Sequence, residues 1–187
     1  MRFSPLLLFL SLALAPLARS EAKHLSVDRS LSRIEIAVKA TMDSFVGKLT
    51  TYESDIQVND QGEIVSARLT FHFRDVLTGK EGRDKAMHTW QHTDEFPDGS
   101  FVFTRLENSP EGAAVAEGQL TLHGVTRSVR FPLAIARQDS RYVIDGDVPI
   151  DTREFGLPII RLMGLLKVDP IVHVRAHLQA TYKEGSL

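Results

Sequence analysis

The residue types able to do chemistry are thinly spread along this 187-residue chain. His88-Thr89-Trp90-Gln91-His92 sets two imidazoles at i and i+4, which on a helix share one face within reach of a single metal ion. Thr89 stands where an H-E-x-x-H motif has its general base, so the protease form of that motif is incomplete. His173 and His177 fall on one face of an extended run, where four residues of strand hold them about 13 Å apart, too far to share an ion. Asp145 with Asp147, and Asp151 with Glu154, are spaced acids that could do acid–base work in a pocket but are more often solvated turn residues. No G-x-S-x-G elbow and no glycine-rich phosphate loop occurs. With no Cys there is no disulfide, thiolate zinc site, iron–sulfur cluster or lipoprotein anchor. Arg83-Asp84 has two readings: a local ion pair with Asp84 near a helix start, or Arg83 facing the polar end of a ligand.

Those residues must be positioned by elements, and the first twenty are an address rather than an element. Arg2, the apolar run Leu6–Leu14, Pro16 and the small-x-small ending Ala18-Arg19-Ser20 read as a secretory signal cleaved after Ser20, leaving a domain over 21–187. The run is about half the roughly 20 residues a membrane-spanning helix needs. The later apolar stretch Ile159–Leu166 contains Arg161, so no stable span is expected and the periplasm is the expected compartment. Losing Arg2 and Arg19 takes the net charge from −2 to −4, without the basic footprint of a nucleic-acid binder. An exported chain without disulfides must hold its fold by its apolar core, and 43% hydrophobic residues supply one.

Strand periodicity dominates the remainder of the chain. In Ile64–Phe73, Val65, Ala67, Leu69, Phe71 and Phe73 alternate with Ser66, Arg68, Thr70 and His72. In Ile171–Ala180, Val172, Val174, Ala176, Leu178 and Ala180 alternate with His173, Arg175, His177 and Gln179. Weaker copies include Ile34-x-Ile36-x-Val38, Val129-x-Phe131-x-Leu133-x-Ile135 and Tyr142–Ile150. Such alternation gives half-buried antiparallel strands, about eight of them over 34–182, joined by turns at Asn59–Gly62 and His123–Thr126. Lys80–Thr93 suits one short helix, and Phe155–Leu166 a short helix or loop over an apolar opening. Eight strands with one dry face close either as a sandwich or as a barrel. In both, Phe71, Phe73, Phe101, Phe103 and Phe131 point inward, where they either fill a core or line a space for a hydrocarbon, at about 0.8 kcal/mol per buried CH₂.

Several segments, in order, resemble the YceI family of exported lipocalin-like proteins. They are Val27–Lys39, Phe45-Val46-Gly47-Lys48-Leu49, Gly82-Arg83-Asp84 with Met87, Glu95-Phe96-Pro97 before Phe101, and the hairpin Gly118–Thr126. Ile150–Gly156 and Val168-Asp169 before Ile171-x-His173-x-Arg175 complete the series. The resemblance implies an all-β, eight-stranded antiparallel lipocalin-like barrel with one or two short helices. It also implies a hydrophobic partner, a long isoprenoid lipid or isoprenoid quinone held inside, with no cofactor, no metal and no established reaction. The expected apolar wall is Ile34, Ile36, Val38, Leu69, Phe71, Phe73, Phe101, Phe103, Phe131 and Leu133, with Leu162, Met163 and Leu165 at the mouth. Arg83 and His88 are the expected head-group contacts, and a homodimer is compatible with the sequence. The competing expectations are a periplasmic enzyme using His88/His92 or the Asp151 region, and a stress-response protein whose barrel is filled by its own side chains.

Overall fold

The computed structural model describes residues 22–41, 43–108, 114–162 and 166–183, with backbone alone at 108, 162 and 166; the expected signal segment lies outside them. In chain order the strands are β1 (Lys23–Val27), β2 (Arg33–Val38), β3 (Phe45–Leu49), β4 (Glu53–Val58), β5 (Ile64–His72) and β6 (Val76–Leu77). Helix α1 (Glu81–Gln91) follows, then β7 (Asp98–Asn108), β8 (Ala114–Leu122), β9 (Val125–Gln138) and β10 (Arg141–Asp151). The short β11 (Arg161–Leu162) and β12 (Leu166–Lys167) precede β13 (Ile171–Tyr182).

Eight of these close on themselves in the order β1-β4-β5-β7-β8-β9-β10-β13, all neighbours antiparallel, and β13 returns to β1. One edge of β13 serves two strands: Ala180–Tyr182 pair with β1, and His173–His177 pair with β2, which carries β3 and β6 beyond it. Closure removes the exposed edges that an open sheet of this size would present. The alternation read from the sequence is therefore that of a barrel.

Local chemistry explains where the strands turn. Asn59 Oδ1 accepts the N–H groups of Gln61 (3.1 Å) and Glu63 (2.9 Å), and Gly62 takes a φ of +80°. His123 and Gly124, at φ 49° and 69°, make the left-handed two-residue turn that matches the twist of β8 and β9. At the start of α1 the Asp84 carboxylate accepts both the N–H (2.9 Å) and the hydroxyl (2.6 Å) of Thr78. The helix ends at His92, whose left-handed φ of 53° sends its N–H back to His88 and Thr89 carbonyls.

Three sequence expectations are corrected and one open alternative is resolved. The first strand is Lys23–Val27, ahead of the run that begins at Arg33. Val65 is 49% exposed, because the β4–β5 register shifts between Gln57 and Val58 and Ile64 takes the inward place. Phe73 leaves the strand for a single 3-10 turn (Phe73–Asp75). Phe155–Leu166, open between a short helix and a loop, takes the loop alternative, following a 3-10 turn (Thr152–Phe155) and leading into the β11–β12 ladder.

Candidate functional site

The barrel interior has one sealed end and one covered end. At the sealed end the Tyr142 and Tyr182 rings meet edge to face at 5.9 Å, with their hydroxyls 3.1 Å apart. Tyr142 donates to the Gly62 carbonyl (3.2 Å), and Arg137 donates to the Gln61 carbonyl (2.7 Å), tying the β9–β10 and β4–β5 turns together. Burial, then the neighbouring Tyr182 hydroxyl, pushes the Tyr142 phenol up to about 12. At the opposite end α1 lies across the opening. Trp90 Nε1 donates to the Pro158 carbonyl (2.8 Å), and Met87 packs onto the apolar interior. The segment after β2 holds the loop there through Thr41 N–H to Lys167 O (3.0 Å) and Asp169 N–H to Lys39 O (2.8 Å).

Between these ends the lining is apolar in two clusters. One contains Ile34, Ile56, Tyr142, Ile144 and Leu178; the other contains Leu120, Ile150 and Phe155, and partly buried Val174 touches both. Leu69, Phe71, Phe101, Leu133 and Ile135 are paired in register with buried or inward residues, yet each is only half-buried. Side chains that point into a closed barrel and still meet solvent are not those of a filled core.

Glycines set the width of this space. The tip of the Phe71 ring on β5 lies over Gly99 on β7, and that of Phe101 on β7 over Gly118 on β8; a Cβ at either glycine would overlap the ring. Gly146 on β10 is the milder third case, where a Cβ would meet Leu133 at 3.2 Å and Phe131 at 3.4 Å. Each ring leans onto the next strand in the same sense around the barrel, against the wall and away from its axis. Phe101 and Phe131 touch edge to face at 5.8 Å.

The expected wall residues gather as follows. Ile34 and Phe131 are buried, and Ile36, Leu69, Phe71, Phe101 and Leu133 are half-buried inside. Phe103 faces the same way, opposite Gly118, and Val38 ends β2 opposite Phe45. Phe73, in its turn, holds its ring 6.0 Å from that of Phe71. Met163 and Leu165, and the side chain of Leu162, lie outside the described residues. Arg83 stacks 4.0 Å from the Phe45 ring centroid and pairs with Asp43 at 3.2 Å, so its charge is already answered. His88 is half-buried, with Nδ1 3.5 Å from the Thr93 hydroxyl.

One site feature was not anticipated from the sequence. Gln91, in the last turn of α1, is fully buried, and neither Oε1 nor Nε2 has a hydrogen-bond partner among the described residues. Leaving such a group unpaired costs roughly 1–3 kcal/mol. Its signal in the sequence is only its place four residues after Met87, on the face that meets the barrel.

The rival constellations come apart. His92 caps the helix and is exposed, so it does not share a helical face with His88. Among the described residues no group of three or more His, Asp or Glu is arranged to hold a metal ion. The acids are bonded to bases: Asp145 to His177 (2.7 Å), Asp147 to His173 (2.7 Å) and Arg175 (3.2 Å), and Asp151 to Arg153. Partial burial works against ionisation of Asp147, but His173 and Arg175 outweigh it and hold its carboxyl below the usual range. An open cleft of about 850 Å³ lies beside this ladder on the outer face, bordered by Arg33, Glu35, Asp145, Asp147, Arg175 and His177. Its charged rim does not suit a hydrocarbon.

Comparison with known proteins agrees with this geometry. The family profile of the YceI-like domain matches residues 25–180. Burkholderia cenocepacia BcnA superposes with a TM-score of 0.73 at 19% identity, over 83% of this chain and 100% of that one. A polyisoprenoid binding domain from Saccharophagus degradans, implicated in plant cell wall breakdown, gives 0.64 at 14% identity, over 86% and 99%. The Campylobacter jejuni YceI protein gives 0.66 at 16% identity, over 77% and 88%. Curated protein sequences give no match. At these identities the structural likeness speaks for the fold.

Proposed function

The chain belongs to the family of YceI-like domains, and from that premise we propose that it is an exported binding protein that carries a long isoprenoid chain, of a polyprenyl lipid or an isoprenoid quinone, inside its barrel. The observation that carries this reading is the half-buried apolar wall of Leu69, Phe71, Phe101, Leu133 and Ile135 within a closed ring of strands. Gly99 and Gly118 let Phe71 and Phe101 lie back, which leaves the axis to a slim guest. The polyisoprenoid binding domain named among the structural relatives supports the same class of ligand.

The mechanism is sequestration. Each methylene moved from water into the barrel contributes about 0.8 kcal/mol, while association costs roughly 4–15 kcal/mol in lost freedom. About five to twenty carbon groups must therefore be buried before binding wins, which selects a long chain over a short one. The Tyr142–Tyr182 end is sealed, so the guest enters beneath α1 and the loop at Pro158. Export by the leading signal segment would place the carrier in the periplasm, between the two membranes that exchange such lipids.

The test is to purify the protein from its native compartment without detergent, extract it with solvent and weigh the extract by mass spectrometry. A prenyl lipid in near-stoichiometric amount is expected. Protein that proves lipid-free, and that takes up no prenyl lipid on incubation, would overturn the proposal.

A further inference from the structure

The wall of the barrel is unstitched along one line. β9 and β10 leave a two-residue turn at Asp139-Ser140, so their hydrogen-bonding rungs fall on alternate pairs: Gln138 with Arg141, Ala136 with Val143, Ala134 with Asp145. The next two in that series would be Pro132 with Asp147 and Arg130 with Pro149, and each contains a residue with no N–H to give. Pairing stops there, at Leu133 with Gly146. Both strands nevertheless run on to the covered end. β9 stays paired with β8 as far as Val125, and β10 with β13 as far as Asp151. From mid-barrel to the mouth, the two strands therefore face each other without a ladder.

Apolar side chains and one hydrogen bond close this seam. Val125 and Val129 of β9 pack against a cluster that holds Ile150 of β10 and Phe155. At the top, Nδ1 of His123 in the β8–β9 turn meets the Phe155 carbonyl at 3.0 Å. The charged side chains outside turn away: Arg130 pairs with Glu107, and Asp147 with His173 and Arg175 on β13. The outer cleft begins at the fork, where Pro132, Leu133, Gly146 and Asp147 border it. Apolar contact is non-directional, so these side chains can part and close again on a hydrocarbon. A hydrogen-bonded ladder cannot do that without stranding its donors and acceptors. Resting on the carrier reading above, we infer that the wall parts along this seam. A long chain then slides in sideways between β9 and β10, instead of passing every segment end-first beneath α1.

The experiment measures uptake of solanesol from phosphatidylcholine vesicles by delipidated protein, read by separating the two, extraction and mass spectrometry. With Pro132→Val and Pro149→Val together, both rungs regain a donor. Uptake is expected to slow roughly tenfold or more, the worth of two backbone hydrogen bonds, with the final amount bound unchanged. The chain has no cysteine, so a reducible bis-methanethiosulfonate staple can be placed at chosen exposed sites. One crosses the seam, at Arg130→Cys with Pro149→Cys; the other lies below the fork, at Ala134→Cys with Asp145→Cys. Against its own reduced form, the seam staple is expected to slow uptake and the lower staple to change nothing. Amide exchange reads the seam without lipid: the Arg130 and Asp147 N–H groups should exchange much faster than those of Ala134 and Asp145. Uptake unchanged by the seam staple, or slowed equally by both staples, overturns the inference and leaves the carrier intact. Equal protection of the four amides, or undiminished uptake by a folded proline variant, does the same. Where the proline variant does not fold, the staples and the amides decide. Native protein that takes up no solanesol overturns the carrier reading, and the sideways passage with it.

Discussion

A hydrogen atom in place of a side chain is what gives Phe101 its position. Gly118 lies under the ring so closely that even a methyl would collide with it, and the same holds for Gly99 beneath Phe71. Gly118→Ala therefore turns the Phe101 ring off the wall and into the bore and also presses on the Val102 carbonyl oxygen, 2.7 Å from the added methyl, with an overpacking cost of about 1–3 kcal/mol. The expected outcome is a folded protein with much reduced lipid content, measured by extraction and mass spectrometry. Gly82→Ala, at an exposed helix position with open space around it, is the control and should leave content unchanged. Equal lipid in both would mean that the guest does not pass Phe101.

The strands are laced on their outer faces by charge, and this sets how the barrel meets acid. The Arg105 guanidinium, 2.7 Å from Glu117 across β7 and β8, holds that carboxyl below its usual range, and Asp147 is held down across β10 and β13. A carboxyl whose folded pKa is depressed contributes stability above its unfolded pKa, about 4, and loses it as pH falls through the folded value. Thermal stability should therefore be level from about pH 5 to 8 and drop below about pH 4, with a smaller drop in Glu117→Gln. Both pairs are solvent-exposed, so about 1 M salt should flatten the same curve. These elements were largely legible in the sequence. The alternation in Ile171–Ala180 maps onto β13, and Lys80–Thr93 brackets α1. Illegible were the features that depend on a neighbour in space. The bulge that expels Val65 arises from β4 register, and a buried Gln91 has the same local sequence as an exposed one. The glycines under the rings show their purpose only once β5, β7 and β8 lie side by side.

For the whole molecule, the two ends of the barrel differ in kind, and the sealed one rests on neutral phenols. Tyr142 loses its proton near pH 12 in the folded protein, against about 10 when unfolded. Its folded pKa is raised, so the associated stability is complete below about pH 10 and declines as pH rises toward 12. Alkaline denaturation monitored by circular dichroism should begin in that window, and Tyr142→Phe should lose the part of the pH dependence that Tyr142 contributes.

The ring itself is completed by three residue pairs, Leu25 with Tyr182, Ser26 with Thr181 and Val27 with Ala180. They bring together segments more than 150 positions apart, so no part of the chain can finish the cylinder until its last strand has arrived. A chain lengthening from its amino end can pair β1 with β4 early, but the other edge of β1 must wait for β13, the last strand, almost to the end of synthesis. On the carrier proposal, a guest would thus meet a molecule that shuts late, and loading during that final closure would be open to it as well as threading through the finished mouth.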